Sequence, residues 1–349
     1  MAYTEHVLKL PDGIHIAYSD SGAPNSSDYT TVVLVHGMVF NRYAFTPLHP
    51  LAHQHNVRLL CCQRRGYPGS TAFTDEEMED MREGRQVFQD RLALQLAWFL
   101  RHFIENEHTP RVNEDRSMGG FVLGGWSLGN VTTMSLLADP TVVKGELYDA
   151  IEPYLRTLVM YDPPSVALGY PAPLPDDQMY SPSSDPHIAP EDVYKELLVW
   201  LSAFYDHPGV ASGKGSGVNC GKPGRTSIPT VECYTEEERS KWCAAFPVAL
   251  LNDFPVYVQP VVWLQKSNLI IASSPRCKPY CTPRRKLYSV SLPLPPLQPT
   301  SPVSTSCISP APRRSAIPCG RTWRPCACAP RRHGVGRYAL CLWRGRIIL

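Results

Sequence analysis

Leu8 and Leu10 alternate with Lys9, and Ile14 and Ile16 flank His15, on either side of Pro11-Asp12-Gly13. Two period-2 runs about such a turn predict a β-hairpin over residues 4–22. Longer apolar runs follow at 30–35 (TTVVLV, ending at His36-Gly37), 57–62 (VRLLCC), 121–125 (FVLGG) and 156–161 (RTLVMY). Runs of this kind suit strands buried on both faces, as in a parallel sheet. Residues 47–55 read as a short helix interrupted by Pro50. Thr74-Asp75-Glu76-Glu77 supplies an acidic first turn for a helical segment over 75–105, in which Val87, Leu92, Leu94, Leu96, Trp98, Phe99, Phe103 and Ile104 approximate helical spacing over the second half. Residues 130–138 predict another helix. The alternation of strand and helix implies βαβ units and a mostly parallel sheet with right-handed crossovers.

The pattern breaks after Asp162-Pro163-Pro164. Residues 165–188 are loop-like, Ala189-Pro190-Glu191-Asp192 opens a helix to about Tyr205, and 206–230 are rich in Gly and Ser. Thr235-Glu236-Glu237-Glu238 is a capping box for a helix through Ala245. Val256–Leu264 (VYVQPVVWL) reads as a further strand, pushed towards an edge by Pro260. The expected organisation is an N-terminal core over 1–164, a helical insertion over 165–252, a residual core strand over 253–270 and a tail over 271–349.

Charge separates that tail from the rest. The whole chain carries a net +2, yet its last acidic residue is Asp253. Residues 254–349 hold fifteen Lys and Arg and no Asp or Glu, so all 32 acids share residues 1–253 with the other 19 basic residues. Seven of the twelve Cys and thirteen of the 35 Pro follow residue 270. Four readings of the tail stay open: a metal site, although Cys277-x3-Cys281 and Cys326-x-Cys328 lack paired ligand spacing; a disulfide module; a basic disordered arm for nucleic acid or anionic lipid; and translation in a wrong frame or through an intron. The acidic core argues against nucleic acid as its own partner. No run of about 18 apolar residues predicts a membrane span, and MAYTEHVLKLPDG has no apolar signal region. Cys61 and Cys62 on a buried strand fit a reducing cytoplasm.

The chemistry centres on Gly125-Trp126-Ser127-Leu128-Gly129, a match to G-x-S-x-G. A chance match somewhere in such a chain has odds of roughly one in ten. The context sharpens it, because a buried strand runs into the motif and a helix leaves it, as a nucleophile elbow requires. Acyl transfer also needs two backbone N–H donors for the carbonyl oxygen. Leu128 supplies one, and His36-Gly37-Met38 at the end of an earlier strand makes Met38 the second, with Val39 as the alternative.

The order HGMVF, CCQRRGYPGS, GGWSLGN, LVMYDPP resembles the α/β-hydrolase fold over roughly residues 5–265, and is most similar to fungal serine-type members known by the fold alone. The resemblance implies a mostly parallel α/β sheet with a helical cap, a Ser–acid–His triad in that chain order, ester-type chemistry on a small-molecule acyl substrate and no cofactor or metal. Ser127 matches the nucleophile, and a serine there disfavours the epoxide hydrolase and haloalkane dehalogenase branches. The family's acid follows the seventh strand, where this chain has none. Asp162, at the end of an earlier strand, is either a substitute acid or a structural turn residue. His333 is the candidate base, without a convincing strand before it. The rival expectation is a hydrolase-like protein lacking a working acid–base pair. Substrate identity and oligomeric state stay open.

Overall fold

The computed structural model describes residues 3–164, 167, 180–182, 185–205 and 228–243. The hairpin forms as expected: β1 (Thr4–Lys9) and β2 (His15–Asp20) pair antiparallel with Leu8 opposite Ile16. Gly13, at φ 85°, makes the turn, and Asp12 accepts the Ile14 N–H at 3.0 Å. The apolar runs become β3 (Thr30–Val35), β4 (Val57–Cys62), β5 (Phe121–Trp126) and β6 (Leu155–Tyr161). Together they form a six-stranded sheet in the order β1-β2-β4-β3-β5-β6. β3 runs parallel to both β4 and β5, and β5 parallel to β6; the β1–β2 and β2–β4 pairs are antiparallel. Every residue of β3 is buried, which explains its unbroken β-branched run.

The helices are α1 (His49–Ala52, flanked by 3₁₀ turns over 42–48 and 53–55), α2 (Asp75–Arg82), α3 (Gln86–Asn106), α4 (Gly129–Ala138), α5 (Gly145–Ile151), α6 (Val193–Ser202) and α7 (Glu236–Trp242). Val33, Val35, Leu60, Cys62, Phe121 and Leu123 alternate onto one sheet face and pack against α3 and α4, where Phe99, Leu100, Phe103 and Leu136 are buried. Burial of each such side chain contributes roughly 1.5–3 kcal/mol.

Several helices differ from expectation. The 75–105 segment is two helices, because Gly84 turns left-handed at φ 62° and Arg85 N–H reaches back to Asp80 O at 2.8 Å. α6 starts at Val193, since Pro190 and Glu191 lie in a turn closed by Asp192 N–H to Ala189 O at 2.9 Å. α5 has no counterpart in the expected elements. α7 does open on the Thr235/Glu238 capping box but ends at Trp242, short of Ala245, because Cys243 is extended; α6 likewise stops at Ser202, short of Tyr205, where Ala203 turns extended. The strand over 256–264, the tail over 271–349 and His333 lie outside the described residues.

Candidate active site

β5 ends at Trp126 and α4 begins at Gly129, so Ser127 occupies the turn between strand and helix. Its φ is +51°, a left-handed conformation that an L-residue with a side chain avoids. The peptide groups around it are clamped. Ser127 N–H donates to Tyr161 O at 3.0 Å, and Asn130 Nδ2 donates to Ser127 O at 2.7 Å and to Tyr161 O at 3.1 Å. The glycines are required by close approach. A Cβ on Gly125 would lie 2.5 Å from Asn130 Cα, one on Gly129 2.1 Å from Val35 O, and one on Gly37 2.7 Å from Ser127 Cβ. Asn130, fully buried, is a clamp that the motif G-x-S-x-G does not contain.

The loop after β3 lies against this elbow. His36 is fully buried. Its Nε2 accepts the Arg64 N–H at 3.0 Å, so Nδ1 carries the proton and donates to Gly37 O at 2.9 Å. Burial, reinforced by the Arg64 charge, lowers its pKa to about 3, so His36 is a neutral latch for the loop. Arg64 Nη1 also donates to Gly37 O, at 3.2 Å. Val39 N–H donates to the Tyr67 hydroxyl at 3.0 Å. Among the described residues, neither the Met38 nor the Leu128 N–H donates a hydrogen bond.

α6 and the 230–243 segment pack over the same loop. Leu197, Leu198, Val199, Val231 and Cys243 form one apolar cluster with Val39, Phe40 and Tyr67, and Met38 and Trp126 pack against it. Asn41 joins the two pieces: its N–H donates to Trp242 O at 3.0 Å and its Nδ2 to Lys241 O at 2.7 Å. These helices therefore lie on the edge of the sheet that bears Ser127.

Asp162 follows Tyr161, the register partner of Trp126, so Ser127 and Asp162 stand one step beyond paired positions on adjacent strands. Asp162 is an exposed residue at φ 46°, and partial desolvation of its carboxyl raises its pKa. Among the described residues two histidines are buried, and both are committed elsewhere. His36 is locked, and His49, equally buried, bonds Ser19 through Nε2 at 2.9 Å, with its pKa lowered to about 4 by desolvation. Among the described residues no group of His, Cys, Asp and Glu is arranged to hold a metal ion, and no helix is long and apolar enough to cross a membrane.

With this sheet order and this elbow, the chain is an α/β protein of the hydrolase type. The profile of the alpha/beta hydrolase family matches residues 32–289, and the chain belongs to that family. No curated protein matches it. Among solved structures it is similar to an alpha/beta hydrolase from Novosphingobium aromaticivorans (19% identity, 46% of this chain and 44% of that one, TM-score 0.28). It is also similar to a putative aryl esterase from Burkholderia cenocepacia (24%, 39% and 41%, TM-score 0.27). A third is an epoxide hydrolase from an endophytic Streptomyces (15%, 78% and 75%, TM-score 0.45). The chain spans less than half the length of the first two.

Proposed function

We propose that this chain is a serine hydrolase of ester-type, small-molecule acyl substrates. The observation that carries this reading is Ser127 held at φ +51° between β5 and α4, with Gly37 against its side chain. A hydroxyl projected from such an elbow is open to an acyl carbon. Ser127 Oγ attacks that carbon and passes its proton to a base. The Leu128 and Met38 N–H groups, which have no acceptor among the described residues, hold the oxyanion. Val39 N–H is engaged with Tyr67, which favours Met38 as the second donor. The base returns the proton to the leaving group, and water then releases the acyl group.

In this reading His333 is the base and Asp162 the carboxylate that orients it. Residues 1–164 are the core, 165–252 the cap, 253–270 the last core strand and 271–349 a basic tail. The Cys61 and Cys62 thiols, free and buried, fit a cytoplasmic setting. The commitment of His36 and His49 to other bonds favours one rival, a hydrolase-like chain with no working base.

The test is labelling of the purified full chain by a fluorophosphonate, with hydrolysis of a small activated ester measured beside it. Labelling should map to Ser127 and vanish in Ser127→Ala. His333→Ala and Asp162→Asn should each lower turnover, His333→Ala by about 10⁴-fold or more. A chain that is folded but neither labelled nor active is the rival.

A further inference from the structure

Three successive peptide N–H groups after Gly37 have three different fates. Met38 N–H meets no acceptor among the described residues, Val39 N–H donates to Tyr67 Oη at 3.0 Å, and Phe40 N–H turns back to Met38 O at 2.8 Å. Val39 is fully buried and sits at φ 71°. A β-branched residue is a steric outlier there, at a cost of about 1–2 kcal/mol, so the turn persists only if its surroundings hold it. The Tyr67 hydroxyl is the side chain that meets the Val39 peptide. Tyr67 is itself fixed: it is 1% exposed, its ring stands edge-on to His36 at 4.5 Å, and the Arg64 guanidinium lies 5.8 Å from its ring centre. His36 and Arg64 both bond Gly37 O, so the groups that pack Tyr67 also pin the start of the turn.

We propose that the Tyr67 hydroxyl is a positioning group for the oxyanion turn: by accepting the Val39 N–H it holds Val39 left-handed and leaves Met38 N–H as the donor facing Ser127. This rests on the serine-hydrolase reading above. Tyr67 acts through Val39 and is not itself a catalytic residue. Losing an oxyanion donor outright costs about 10²–10³ in rate, so loosening one should cost about tenfold or more.

The experiment uses the full chain with Tyr67→Phe and Tyr67→4-aminophenylalanine, the second keeping a polar group at the ring's para position. Two readouts are taken: the rate of Ser127 phosphonylation, resolved into a saturation constant and a limiting rate, and residue-resolved amide exchange. In Tyr67→Phe the limiting rate should fall about tenfold with the saturation constant and melting temperature held. Val39 amide exchange should speed at least tenfold, while the Arg64 amide, bonded to His36, stays unchanged. The 4-amino variant, which refills the para position but whose ring-conjugated nitrogen is a poor acceptor for the Val39 N–H, should recover little of either. An unchanged limiting rate, or unchanged exchange at Val39, overturns the proposal. So does a loss of rate that only follows a fall in melting temperature, or failure of both variants to fold, since the hydroxyl would then be a stability element. If the unmodified chain is not phosphonylated at Ser127, the hydrolase reading fails. Unchanged Val39 exchange beside normal labelling of the unmodified chain would sink the positioning role alone.

Discussion

Gly37 and Ser127, ninety residues apart, are so close that a methyl group on Gly37 would stand 2.7 Å from Ser127 Cβ and 3.3 Å from its hydroxyl oxygen. The elbow and the loop after β3 are thus one unit. A change in either backbone reaches the other directly.

Gly37→Ala should therefore act mainly on the site. Its new methyl meets Ser127 Cβ at 2.7 Å and the Trp126 carbonyl oxygen at 3.0 Å, so the elbow backbone must give way; the expected stability loss is about 1–3 kcal/mol, with phosphonylation of Ser127 slowed at least tenfold. Gly129→Ala and Gly125→Ala meet backbone at 2.1 Å and 2.5 Å and should each cost about 3 kcal/mol or prevent folding. Gly13→Ala, at φ 85° with nothing within 4 Å, should cost only about 1 kcal/mol and leave labelling intact. Urea unfolding of the four variants, read beside labelling, gives the order.

The strain at Ser127 has a measurable sign. Ser127→Gly and Ser127→Ala both remove the hydroxyl, but only glycine relieves the positive φ. After allowing for glycine's greater freedom in the unfolded chain, Ser127→Gly should be about 1 kcal/mol more stable than Ser127→Ala. Equal denaturation midpoints would contradict a strained elbow.

Arg65 and Glu77 form a buried pair. Arg65 Nη2 donates to Glu77 Oε2 at 2.8 Å, and Glu77 Oε2 also accepts the Thr74 N–H at 2.8 Å. Burial alone would raise the Glu77 pKa. The Arg65 hydrogen bonds, the Thr74 N–H and the Arg65 charge outweigh it and hold the pKa below the ordinary value of 4.5. The folded carboxylate is favoured, so this contribution is present above pH 4.5 and lost as pH falls below it. Glu77→Gln should cost about 3 kcal/mol at pH 7, by leaving Arg65 buried without its counter-charge, and should flatten the acid limb of the stability curve.

His36 and His49 add a second pH dependence. Their folded pKa values, about 3 and about 4, lie below the ordinary 6.5, so the unfolded chain binds more protons between those limits. Stability should be full above pH 6.5 and should erode as pH falls towards 4 and 3. In nuclear magnetic resonance, His36 should stay neutral with its proton on Nδ1 throughout pH 5–8. A His36 titration near pH 6.5 would show that the latch is open.

Local order decided much of this chain in advance. The hairpin about Pro11-Asp12-Gly13, the β-branched run 30–35 and the Thr235/Glu238 cap are legible because their signals lie within a few neighbouring residues. The same holds for Ser127, whose flanking strand, glycines and helix are contiguous in sequence. The break at Gly84 was hidden because a glycine inside a helical pattern ends it only when the backbone turns left-handed, as it does here at φ 62°. The roles of His36, Asn130 and Tyr67 were out of reach for a different reason. Each depends on a polar atom meeting a peptide group supplied by another element: Arg64 for His36, Tyr161 for Asn130, Val39 for Tyr67. Side-chain periodicity records which face is buried. It does not record which buried donor finds which acceptor, and that pairing is made only when parallel strands bring their ends together at one edge of the sheet.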